Sequence, residues 1–104
     1  MSIEICNLRK QKPTKPHDVR VDRQSVLGNP FYMKDESQRD IVCEKYDLYF
    51  IEKMKDKSSL FYKEIQILIQ IYKQYGKLRL FCWCEPLRCH AETIRDYILK
   101  EIGE

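Results

Sequence analysis

Apolar and polar positions along this chain change period several times, and each change marks an element. Ile3, Ile5 and Leu8 predict a short strand over residues 3–8. Val19-Arg20-Val21-Asp22-Arg23 alternates apolar with charged residues, as a half-buried strand does. After Asp35-Glu36-Ser37 the period lengthens. Val42, Tyr46, Tyr49 and Phe50 recur at helical spacing, predicting a helix to about Met54 that Asp35 or Ser37 can cap. Lys55-Asp56-Lys57-Ser58 interrupts it. A second helix is predicted from about Ser59 to Tyr75, with Leu60, Phe61, Ile65, Leu68, Ile69 and Tyr72 in one stripe and Gly76 as its stop. Lys77 to Cys84 is the strongest strand pattern. A turn around Pro86 follows, from Glu85 to Arg88. A last helix runs from His90 to Glu101, with Ile94, Tyr97, Ile98 and Ile102 on its apolar face.

The order is therefore β-β-α-α-β-α. It predicts an α/β class: one small domain over residues 1–104, with a mixed or parallel sheet flanked by about three helices. A helical crossover would pair the second and third strands in parallel. Two segments fit neither period. Arg9 to His17 holds two prolines and four cations and reads as an extended loop, either contacting phosphates or simply solvated. Gly28-Asn29-Pro30 is a shaped loop, because the residue before proline avoids helical geometry.

Composition narrows the class. Of the 104 residues, 43% are hydrophobic and 34% charged, too apolar for disorder and too charged for a membrane protein. No apolar run reaches the ~18 residues of a membrane span. Met1 to Cys6 lacks the apolar core of a signal peptide. The expectation is a cytoplasmic protein. Its net charge of +3 is too mild to argue for nucleic acid as the partner. The five cysteines are odd in number, and three lie within Cys82–Cys89. In a reducing compartment such crowding points to metal, a reactive thiol or burial rather than to disulfides.

Several of these residues together carry a resemblance. They are Asn7-Leu8-Arg9, Val19-Arg20-Val21-Asp22-Arg23, Gly28-Asn29-Pro30-Phe31, Arg39, Tyr46, Gly76-Lys77 and Cys82-Trp83-Cys84-x-Pro86-Leu87-x-Cys89-His90. Over nearly its whole length the chain resembles a family of small phage and bacterial proteins, the domain of unknown function 4326. The resemblance implies a phage or prokaryotic origin, a host cytoplasm if the chain is phage-encoded, and a compact domain. It brings no established activity. The family usually has Gly-Asp after the Cys-His pair, where this chain has Ala91-Glu92.

The Cys82–His90 segment joins a strand's C-terminal end to a helix, a common place for ligands in α/β sheets. Three readings of it stand side by side. In one, Arg20, Arg23, Gly28 and Asn29 help bind a nucleotide or another small phosphate-bearing molecule, Cys84 or Cys89 is a nucleophile, and His90 an acid or base. In another, Cys82, Cys84, Cys89 and His90 hold zinc, against which their C-x-C and Cys-His spacing counts. In the third, the cysteines are buried hydrophobes and His90 caps the helix. No cofactor is required by the first or third. Stacking of bases on Trp83, Tyr32, Tyr46 and Tyr49 is a further reading. From another class comes a non-catalytic module that binds a host protein through Tyr46, Tyr49, Tyr62, Tyr72 and Tyr75. Small phage proteins often act in this way.

Overall fold

The computed structural model describes residues 2–85 and 87–103. Met1, Glu104 and Pro86, with the turn expected around it, lie outside the described residues. Three strands form one parallel sheet: β1 (Ser2–Asn7), β2 (Asp18–Arg20) and β3 (Lys77–Cys82) in the order β1-β3-β2. In register, Ile5 faces Leu80 on one side of β3, and Val19 faces Leu80 on the other. A short 3-10 turn (Glu36–Gln38) leads into α1 (Arg39–Lys55). Then come α2 (Leu60–Tyr75) and, after β3, α3 (Ala91–Ile102). The expected α/β domain with parallel pairing of β2 and β3 is the one observed.

Alternation in β3 divides the molecule. Leu78, Leu80 and Cys82 point into one core with Ile65, Leu68 and Ile69 of α2, Tyr46 and Phe50 of α1, and Ile94 and Ile98 of α3. α2 packs on β3, α1 on α2 and α3, and α3 on β1 and β3. On the opposite face Arg79 lies over the Phe81 ring at 5.1 Å, and its guanidinium is bonded to Gln11 of the basic loop. That loop is clipped to Asp18, whose carboxylate accepts from the backbone N–H groups of Thr14 and Lys15. No helix among the described residues is long and apolar enough to cross a membrane.

Three expectations change in detail. The second strand stops at Arg20, because Asp22 turns away into bonds of its own, although Val21 still donates to Phe81 O at 3.0 Å. Asp35, rather than Ser37, caps the 3-10 turn, and the α-helix proper begins at Arg39. Leu60 is 73% exposed. At 3.6 residues per turn it lies about 120° from the centre of the α2 stripe.

Candidate functional site

All three strands run the same way, so their C-terminal ends share one edge of the sheet. The loops leaving that edge are tied together. Asn7, closing β1, donates its side-chain amide to Glu85 O at 2.7 Å, and Leu8 N–H donates to Cys82 O at 2.8 Å. The segment after β2 curls under the N-terminus of α1. The segment after β3 passes beside it to reach α3. Between them lies a cavity of about 360 Å³.

Residues 21–31 build one wall through hydrogen bonds. Asp22 is buried and gripped by the Arg20 guanidinium, and it accepts from Trp83 Nε1 at 2.9 Å. Burial works to raise its pKa, but the bonds from Arg20 and Trp83 to the charged form outweigh it and hold the carboxyl below 3.8. Gly28 packs on the turn beneath. A Cβ there would lie 2.5 Å from Asp22 O and 2.6 Å from Arg23 Cα. Asn29 is a staple: its Nδ2 donates to Val42 O at 3.3 Å and its Oδ1 accepts from Phe31 N–H at 2.9 Å. Arg23 donates to Asn29 O at 3.1 Å and Phe31 O at 3.0 Å, and its guanidinium stacks 3.7 Å above the Tyr32 ring.

Three thiols form the opposite wall. Cys82 closes β3, so the strand ends two residues short of Cys84, yet both line the cavity with Cys89. Cys89 Sγ donates to Cys82 Sγ at 3.2 Å, and Cys84 shares the cavity wall with it, near enough for the Cys89 thiol to act on its charge. The first turn of α3 holds Cys89 in place, with Ala91 N–H donating to its sulfur at 3.3 Å. Bonding from Cys89 pulls Cys84 down to about 6 against the effect of burial, with the Arg39 guanidinium assisting. Cys82 is drawn to about 7 by Cys89 and by the backbone N–H groups of Cys84 and Glu85. Cys89 itself is pushed far up by its bonds to Cys82 and Cys84 and by burial. It remains a protonated donor, while Cys84, half-buried at the cavity, is both more acidic and more exposed than Cys82.

His90 sits just before α3 and makes no side-chain cap. Its Nε2 meets Val21 O and so carries the proton. This leaves Nδ1 as an acceptor 3.9 Å from Cys89 Sγ. Burial lowers its pKa below 6.5, opposed by the Val21 bond. Tyr46 packs against it at 5.0 Å between ring centroids and donates to Leu27 O.

The structure thus brings Arg23, Asn29, Cys82, Cys84, Cys89 and His90 to one cavity. It does not bring Arg20 or Gly28 to that wall, where they act through Asp22 and the turn. Both functional groups of Asn29 are engaged by backbone. Tyr46 and Tyr72 are fully buried, so the five tyrosines of the helices do not form one surface. Among the described residues, no group of three or more His, Cys, Asp or Glu side chains is arranged to hold a metal ion. Arg39, Arg88 and Asp22 line the cavity and were missed as site residues. Arg39 carried a signal. A cation opening a helix opposes the dipole unless something anionic sits nearby. Here Glu36 takes its Nε and Nη2 at 2.7 Å, and Arg88 O takes Nη1 at 2.9 Å.

No curated protein and no solved structure matches the chain. A family model described as Domain of unknown function (DUF4326) matches residues 6–100, which include every strand end and loop around the cavity, and the chain belongs to that family.

Proposed function

We propose that this domain binds a nucleotide-like, phosphate-bearing small molecule in the cavity at the sheet edge. The observation that carries the reading is Arg23. Two backbone carbonyls and the Tyr32 ring orient its guanidinium, and no salt bridge to it is present among the described residues. Neutral carbonyls fix its direction without cancelling its charge. Three of its N–H groups remain free for an anion. Arg39 and Arg88 stand on the same cavity. Their carboxylate partners Glu36 and Asp40 are exposed, so solvent screens these pairs and a phosphate can compete for the cations. Trp83 is 49% exposed, and its indole is fixed by Asp22, offering a flat face on which a base can stack. The volume falls within the usual range of small-ligand pockets.

Trp83 is the only tryptophan, so its emission reports on the cavity directly. Titration with nucleoside mono- and diphosphates should give a saturable change. The parent nucleoside should bind at least ~10-fold more weakly, and Arg23→Ala should lose the difference, as removing one charge-assisted bond predicts. A flat titration with every phosphate compound, or an unchanged one in Arg23→Ala, would overturn the reading. The alternative, a non-catalytic module for a host protein, draws on another surface: Ile41, Leu48 and Ile51 are apolar and exposed on the outer side of α1. A flat titration together with a stoichiometric partner lost in Leu48→Asp would favour it.

A further inference from the structure

Three thiols on one cavity wall are more than an anion site needs. Cys84 is open to the cavity, beside Arg39, and shares that cavity wall with Cys89. Cys89 is buried behind it, with its sulfur fixed by Ala91 N–H. Behind Cys89, His90 Nδ1 is an acceptor without a proton, because Nε2 donates to Val21 O. A reachable nucleophilic sulfur, a second sulfur on the same wall and a nearby base are the parts of a dithiol centre.

We propose that Cys84 and Cys89 reduce small disulfides bearing carboxylates, which Arg23 and Arg39 hold over the cavity. The Cys84 thiolate attacks one sulfur of the substrate. The substrate S–S bond breaks, one thiolate leaves and takes a proton from water, and Cys84 is left in a mixed disulfide. Cys89 then gives its proton to His90 Nδ1 and attacks the Cys84 sulfur. The second substrate thiolate leaves and takes that proton. Two electrons have passed from the protein dithiol to the substrate, giving two free thiols and a Cys84–Cys89 disulfide. A dithiol donor restores the reduced protein by the reverse exchange. This activity uses the cavity of the phosphate-binding reading but does not depend on that reading. Its readouts are thiol release and protein mass, so either can fail alone.

The test uses the reduced full-length chain, kept free of oxygen, with oxidised glutathione as the probe. Wild type should release two glutathione thiols per chain, lose the mass of two hydrogens and yield a Cys84–Cys89 linked peptide. Cys89→Ser should stop halfway, with one thiol released and glutathione retained on Cys84. Cys84→Ser should do neither. Because Cys89 is buried and its replacement can harm folding, wild type is also treated with limiting iodoacetamide at neutral pH. Cys84 should be alkylated at least ~10-fold faster than any of the other four cysteines, because those four are buried and Cys84 opens on the cavity. A linked peptide lacking Cys84, no thiol release from wild type, or alkylation of Cys84 no faster than its neighbours would overturn the proposal.

Discussion

Several side chains around this cavity act by fixing backbone. Gly28 serves the same backbone by lacking a side chain. Its φ is not in the left-handed region, so its need for glycine is one of space: three backbone atoms of Asp22 and Arg23 lie within 2.9 Å of where a Cβ would stand. Backbone cannot swing aside as a side-chain tip can. Gly28→Ala should therefore destabilise the chain by about 1–3 kcal/mol, the usual range for overpacking, in urea denaturation followed by Trp83 emission. A neutral or stabilising result would mean the turn relaxes freely. Asn29 makes the same point. From sequence it reads as a ligand contact, whereas the structure has both ends of its amide on backbone. Sequence showed that the position mattered and left the partner open, because an amide bonds equally well to a loop or to a ligand.

At the scale of elements, hydrophobic period and end signals carried most of the information. α2 is an example. Its buried stripe, its Ser59 cap and its Gly76 stop with φ 71° were all legible, since each is a property of adjacent residues. Ser59 Oγ accepts from Tyr62 N–H at 3.0 Å. Ser59→Ala should cost about 1 kcal/mol by chemical denaturation, and Ser59→Asp should recover most of it, because the carboxylate can also accept that bond. Equal loss in both variants would assign the effect to something other than the cap. α1 was less legible. It is apolar on two sides, with Val42, Tyr46 and Phe50 in the core and Ile41, Leu48 and Ile51 in solvent, so its period locates the helix but does not say which side is buried.

For the whole molecule, the site ties stability to pH. The pKa values of Cys84, His90 and Asp22 all lie lower in the folded chain than their ordinary values. Between the two values of each group the unfolded chain binds the extra proton, so stability rises with pH there. The interval for Cys84 runs from about 6 to 9.0, that for His90 lies below 6.5, and that for Asp22 below 3.8. Unfolding free energy from urea titrations should therefore fall on acidification from about pH 9 to about pH 3. Each group adds at most about 1.4 kcal/mol per pH unit, and Cys84 adds less because solvent screens a half-exposed sulfur. Cys82, drawn to about 7, adds to the same upper limb, so Cys84→Ser should reduce its slope, most fully between about pH 6 and 7, and leave the acidic limb. A wild-type curve already flat between pH 9 and 6 would contradict an ionised Cys84.

What the sequence alone determined was local: the order of strands and helices, their caps and stops, the small α/β class, and the two loops where unusual residues gather. Adjacent residues settle these through period, φ preference and end capping. Tertiary structure decided which residues meet. It placed β3 between two parallel neighbours, so that three strand ends and their loops open on one edge. It gathered Cys82, Cys84 and Cys89 on one cavity wall, turned Arg20 onto Asp22, and brought Arg39 from the start of α1 to the side of Cys84. The physical reason is that hydrogen bonds, burial and charge act over a few ångströms of space. The partners that set the acidity of Cys84 and the direction of Arg23 are fixed by how separate elements pack, and no periodicity along the chain records that packing.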